Sequence, residues 1–224
     1  MNKVYVNRHA NNYLCIVSHS FYTAYLHIGR LHRYLPVATK RSAEKLLYRE
    51  MARVLFVDIV KRILPGVEVT HSSVSHGRNE SVMLVNNDRR IHSVGIDIEF
   101  IEKAKAPRPF MLDYCEKYAR FPVVQADNRL CTTIFSCMES LYKALCAISV
   151  CTFDINDYLL VAYNRVRCVF RYVGNVAEFK GKTFICNCYY LDQSVITVVL
   201  LDASLTSIIL DDLLYEEMSI AISD

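Results

Sequence analysis

The stretch Val94-Gly95-Ile96-Asp97-Ile98-Glu99 alternates apolar and acidic residues, so on a strand Asp97 and Glu99 project from one face. Two carboxylates held that close repel each other unless a cation or a proton lies between them. Oxygen-only ligands suit a hard ion such as Mg²⁺, which takes one or two carboxylates and fills its shell with water and phosphate oxygens. By spacing alone, an amphipathic strand with a solvated acidic face explains the pattern at least as well. A second stretch, Phe135-Ser136-Cys137-Met138-Glu139-Ser140-Leu141-Tyr142-Lys143-Ala144-Leu145, sets Glu139 and Lys143 four residues apart on one helix face. Either they form an exposed ion pair worth about 0.2–0.5 kcal/mol, or the carboxylate addresses a metal and the ammonium a phosphate. The bulk of Phe135, Leu141, Tyr142 and Leu145 implies a helix packed on most sides. The third stretch, Thr70-His71-Ser72-Ser73-Val74-Ser75-His76-Gly77, offers hydroxyl, imidazole and backbone N–H donors suited to phosphate, or else an ordinary polar turn. A hydrolase triad does not fit, because Ser75 and His76 would face opposite sides of a strand and no nucleophile elbow is present.

These residues need elements to carry them. Leu46, Leu47, Met51, Val54, Leu55, Ile59 and Leu64 recur at helical steps between an N-cap at Ser42 and a stop at Pro65-Gly66. Before them, to about Pro36, lie short β-type runs such as Tyr13–Val17. After them the pattern predicts extended stretches near Val67–Val74, Ser81–Val85 and His92–Glu99, then a modest helix around Met111–Ala119. A second long helix is predicted from about Asn128 to Ile148. Four further strands follow, Tyr158–Tyr163, Val166–Val173, Thr183–Tyr190 and Val195–Leu201, with turns at Asn164-Arg165, Lys180-Gly181-Lys182 and Asp192-Gln193. Each half reads as a long helix followed by a small, mainly antiparallel set of strands. The fold class is α+β, with a pseudo-twofold relation of the halves suggested by element order alone.

The composition narrows the function classes. With 224 residues, 53% of them hydrophobic and 22% charged, the chain has ample material for a core. Six Gly and five Pro exclude a collagenous or low-complexity chain. No apolar run reaches the ~18 residues of a membrane span, and the first residues do not open a signal peptide. Nine cysteines without a regular framework read as reduced thiols of a cytoplasmic protein. Cys186-x-Cys188 alone makes a weak zinc case, and alternate positions on a packed strand explain it better. Residues 1–95 hold fourteen Lys/Arg against six Asp/Glu, and residues 96–224 hold twelve against seventeen. A basic half that meets a polyanion and an acidic half that holds a cation account for this split. Nucleic acid is a poor candidate, since no dense basic run or stacking motif is visible. A phosphorylated small molecule fits better.

In this order and at these separations, the three stretches resemble the 4'-phosphopantetheinyl transferase family, specifically its two-halved siderophore-synthase type, represented by the enterobactin and surfactin enzymes. The family pattern is a Ser-His turn, then Gly-(Ile/Val)-Asp-x-Glu, then an aromatic-Ser-x-Lys-Glu-(Ser/Ala)-x-x-Lys helix about forty residues on. Here these are Ser75-His76, Gly95 to Glu99, and Phe135 to Lys143. Lys40 to Arg49 is similar to the basic helix start of this type, and Cys151-Thr152-Phe153-Asp154 resembles its Phe-Asp element. The likeness spans roughly Lys40 to Leu201.

The resemblance implies a pseudo-twofold α+β fold and transfer of the 4'-phosphopantetheine arm of coenzyme A to a serine of an acyl or peptidyl carrier protein, in siderophore or polyketide biosynthesis. It implies Mg²⁺ on Asp97, Glu99 and Glu139, with Lys143 against the pyrophosphate. Arg41, Arg49, Ser75 and His76 would hold the nucleotide phosphates, and Glu139 or a metal-bound water would be the base for the attacking serine. Residues 1–95 would then be the coenzyme A phosphate-binding half and residues 96–224 the metal-binding, catalytic half of a monomer. Three positions depart from the pattern. Met138 stands where a Lys precedes the Glu, Tyr48 replaces a Gly, and Gly77 follows His76 where a second Ser is common. Met138 lies about 100° round the helix from Glu139, so a Met138→Lys change is expected to leave activity similar or higher. The alternative reading is a coenzyme A- or carrier-binding homologue with weakened catalysis.

Overall fold

Alternating or continuous runs of β-branched and aromatic residues become strands where another layer can cover their apolar face. The computed structural model describes residues 4–9, 12–18, 56, 66, 69–78, 80–102, 106–118, 127–209 and 216–218. Among them the architecture is α+β, with two antiparallel five-stranded sheets and two α-helices. The strands are β1 Val4–His9, β2 Asn12–Ser18, β3 His71–His76, β4 Glu80–Asn86, β5 Ile91–Phe100, β6 Tyr158–Tyr163, β7 Arg167–Tyr172, β8 Thr183–Tyr190, β9 Ser194–Asp202 and β10 Glu216–Met218. Helix α1 covers Pro109–Tyr118 and α2 covers Asn128–Cys146. The first sheet runs β10-β1-β2-β4-β3 and the second β5-β9-β8-β7-β6. Among the described residues, no helix is long and apolar enough to cross a membrane.

The elements predicted from Ser81 onward form close to where the pattern put them. The β6–β7 turn is held by Asn164, whose Oδ1 accepts from the N–H groups of Val166 and Arg167. Gly181 takes φ 78°, the left-handed turn position that favours glycine. Asp127 caps α2 by accepting from the Leu130 N–H at 2.7 Å. Strand β3 begins four residues later than the predicted Val67 stretch, because its ladder is fixed by β4, with His71 opposite Asn86 and His76 opposite Ser81. The helix predicted over Ser42–Leu64 lies outside the described residues apart from Phe56, which is helical and fully buried.

Strand β5 is the hinge of the architecture. Val94, Ile96 and Ile98 join Ile196, Val198 and Leu200 of β9 and Leu14, Ile16, Val82 and Leu84 of the first sheet in one core. The alternate β5 residues, Ser93, Gly95 and Asp97, face α2. On the far side of the second sheet, α2 and α1 cover a larger core built from Val195, Val199 and Leu201 with β6, β7 and β8. The second sheet is therefore covered on both faces. The cut before Ile96 used to count charge falls inside β5, whose whole length belongs to the second sheet. Strand β10 returns to pair with β1, so the last of the described strands lies at the edge of the first sheet.

Candidate functional site

Gly95 sets the geometry of the site. A Cβ there would overlap the Ser140 carbonyl oxygen and stand 2.9 Å from the Ala144 nitrogen. Only glycine lets α2 cross β5 at this distance. The helix presents Ser136, Ser140 and Ala144 to the crossing, three small residues four apart on one face. Ser140 Oγ meets Thr197 Oγ1 at 2.6 Å and Ser136 Oγ meets it at 3.0 Å, tying α2 to β9 as well.

The close crossing brings Lys143 over β5. Its ammonium donates to Asp97 Oδ1 at 2.8 Å, to the Ile96 carbonyl at 3.0 Å and to Ser75 Oγ at 3.0 Å. An ammonium has three N–H groups, so every donor has an acceptor. Asp97 is 4% exposed. Its Oδ1 also accepts from Ser75 Oγ at 2.7 Å, and its Oδ2 accepts from Ser136 Oγ at 2.8 Å. A carboxylate has about four lone-pair positions, and these bonds take three of them. Residues from β3, β5 and α2 thus meet at one charge-assisted cluster on the seam between the sheets. Ser73 adds a tie across the same seam by accepting from the Ile96 N–H at 3.1 Å.

Glu99 and Glu139 lie beside this cluster, both half-buried. Burial pushes the Glu99 carboxyl up to about 7, the charges of Asp97 and Glu139 add to the rise, and Arg108 and Lys143 oppose it. Arg108 reaches Glu99 Oε2 at 3.5 Å, and its guanidinium lies 4.8 Å from the Phe135 ring centre. Phe135 in turn packs edge-on against Phe110 and Phe153. The motif's aromatic residue therefore seats a cation on one of its acids.

Burial leads this rise, so it marks Glu99 as a desolvated carboxyl with two further acids beside it. Oxygen donors short of positive charge fit a hard divalent ion. The three acidic residues do not form a closed ligand cage. Among the described residues, the set of three potential ligand atoms all within 4.8 Å of one another is made of sulfurs, those of Cys137, Cys168 and Cys188.

Lys143 takes Asp97 as its salt-bridge partner across the sheet. Ser75 faces Asp97 from β3, buried, instead of presenting a free hydroxyl. His76 lies at the strand end with Nδ1 2.8 Å from Ser81 Oγ. The Gly77 N–H donates to the Glu80 carbonyl at 2.8 Å, so this N–H is already paired. Arg41 and Arg49 lie outside the described residues. Met138 is fully buried in the core beneath α2, so the position where the resembling family has a lysine is apolar here. Ser136 and Arg108 had no assigned role in the sequence reading. Ser136 was visible as part of the aromatic-Ser motif, while Arg108 sits in a loop with no periodicity to aim it. A cavity of about 190 Å³ at the end of β5, lined by Glu80, Phe100, Leu191, Asp192, Gln193 and Ser194, contains none of the candidate residues. No protein-family model matches the chain, and no curated protein matches it.

Proposed function

We propose that this chain is a Mg²⁺-dependent 4'-phosphopantetheinyl transferase of the two-halved type, acting in the cytoplasm on an acyl or peptidyl carrier protein. The observation that carries this reading is the bonding of Ser75, Asp97 and Lys143 to one another with Glu99 and Glu139 beside them. They come from three separate stretches whose order matches the family pattern. The eight cysteines whose side chains are described are free, in keeping with a reducing compartment.

In the reaction, a carrier serine hydroxyl attacks the β-phosphorus of the coenzyme A pyrophosphate. The P–O bond to adenosine 3',5'-bisphosphate breaks, and the serine proton passes to a base. Such transfers need positioning and charge neutralisation more than covalent help from the protein. Glu99 and Glu139, with Asp97, would hold the ion, which when bound neutralises charge on the pyrophosphate. Glu139 is the candidate acceptor of the serine proton. Lys143 would exchange one of its three internal hydrogen bonds for a phosphate oxygen, leaving Ser75 and Ser136 to hold Asp97 in place. Arg108 stands on the loop before α1 as a further cation beside Glu99.

The second reading, a homologue with weakened catalysis that still binds coenzyme A or the carrier, draws on two observations. Every N–H of Lys143 is already paired within the protein, and the lysine expected at Met138 has no counterpart. One experiment separates the readings. The protein is incubated with coenzyme A, Mg²⁺ and a panel of apo carrier proteins, and intact mass is measured. Addition of one phosphopantetheine to a carrier supports the transferase. Coenzyme A binding with no mass gain on any carrier supports the weakened homologue, and a chain that neither adds the arm nor binds coenzyme A or a carrier overturns both.

A further inference from the structure

Beneath α2, on the face turned toward the second sheet, four thiols from three elements converge. Cys137 comes from α2, Cys168 from β7, and Cys186 and Cys188 from alternate positions of β8. Cys168 and Cys186 are direct cross-strand partners. All four are at most 2% exposed and none is in a disulfide. The sulfurs of Cys137, Cys168 and Cys188 lie within 4.8 Å of one another, and Cys137 Sγ is 3.5 Å from Cys188 Sγ. Cys186 instead turns its thiol to the Cys137 carbonyl at 3.5 Å.

Three sulfurs at ~2.3 Å from a central ion stand about 4 Å apart in a trigonal plane. The 3.5 Å between Cys137 and Cys188, with all three sulfurs within 4.8 Å, is compatible with that value after side-chain adjustment. We propose that Cys137, Cys168 and Cys188 form a buried three-sulfur site for a soft monovalent ion, Cu(I). Thiolates select soft ions such as Cu(I) over hard ones. Structural zinc requires four ligands. The fourth thiol here, that of Cys186, is turned to the Cys137 carbonyl, and the three sulfurs lie in the apolar core beneath α2. Each sulfur that binds as thiolate releases its proton to solvent. Because the thiols are buried, the ion enters during folding or local opening. This site does not depend on the transferase reading, since none of its three ligands belongs to the candidate transferase site.

The test is to refold the full chain without oxygen from urea, with a strong reductant and Cu(I) supplied as its acetonitrile complex. Excess ion is then removed with a competing Cu(I) chelator. The expected result is one copper retained per chain, with X-ray absorption counting three sulfur neighbours and a higher unfolding temperature than the copper-free chain. Cys168→Ala and Cys188→Ala should each lose the retained copper. Cys131→Ala should keep it, since Cys131 is a buried thiol paired with Cys115 at 3.9 Å outside the cluster. The sulfur count on the unaltered chain holds whether or not a variant folds. Loss of all copper to the chelator overturns the proposal, as does copper retained equally by the Cys168 and Cys188 variants. In a parallel refolding with Zn(II) in place of Cu(I), retention of zinc on four sulfurs including Cys186, with no copper kept in the first sample, also overturns it.

Discussion

At the scale of single residues, the site combines a paired ion and an unbalanced one. Asp97 and Lys143 neutralise each other within a dense set of hydrogen bonds. Glu99 is left with a carboxyl whose ionisation is opposed by burial and by two neighbouring acids. An unfolded glutamate titrates near 4.5 and the folded one near 7. Neutral Glu99 therefore favours the fold at pH values below about 4.5, and that contribution disappears as the pH rises through about 7. Glu99→Gln is expected to stabilise the metal-free chain at pH 8 by about 2 kcal/mol, solvent screening included, and to change little at pH 4. Urea unfolding at the two pH values measures this, and equal effects at both would contradict it. If Mg²⁺ binds here, adding it at pH 8 reverses the order, because the glutamine lacks the charge that holds the ion. For Glu139→Gln, turnover should fall more than about tenfold with the fold preserved, since glutamine is a good helix residue. Near-normal turnover with an unchanged circular dichroism spectrum would remove Glu139 from both proposed roles.

At the scale of elements, the decisive contact is α2 across β5. Gly95→Ala places a methyl group against the backbone of Ser140 and Ala144, which cannot rotate away as a side chain would. A cost of about 3 kcal/mol or more is expected, at or above the upper end of ordinary overpacking, together with loss of activity as Lys143 is lifted from Asp97. Denaturant unfolding reads the first effect; a cost under about 1 kcal/mol would show that the helix can shift. The burial of Met138 reverses what the sequence led one to expect at that position. Met138→Lys introduces an ammonium into an apolar core and should destabilise by several kcal/mol. Met138→Leu, close in volume, should cost less than about 1.5 kcal/mol. Unfolding temperatures of the two variants side by side test this.

At the scale of the whole molecule, the two sheets are not separable units. The face formed by Leu14, Ile16, Val82 and Leu84 is covered by Ile196, Val198 and Leu200 of the other sheet, and β10 closes the first sheet from the far end of the chain. A chain ending at residue 90 should therefore lack a cooperative unfolding transition, since its apolar face has no cover and one of its strands is missing. Dispersed amide resonances and sigmoidal urea unfolding from that fragment would contradict the shared core. The same interlocking explains why the candidate site lies on the seam. Ser75 is delivered by the first sheet, Asp97 and Glu99 by the second, and Glu139 and Lys143 by the helix that covers it.

The elements from Ser81 onward were legible in the residues because their signals are local: apolar periodicity for α2, β-branched runs between turn residues for the strands. The shared face of Asp97 and Glu99 was legible for the same reason, since side chains alternate strictly along a strand. Partner choice was not legible. Glu139 and Lys143 share a helix face, yet the ammonium reaches Asp97, because Gly95 lets the helix come close enough for a contact across 46 residues of chain. The role of Ser136, the seat of Arg108 over Phe135 and the meeting of Cys137 with Cys168 and Cys188 likewise depend on how layers stack. Spacing along a chain encodes which way a side chain points from its own element; what it meets there is set by the packing of elements remote in sequence.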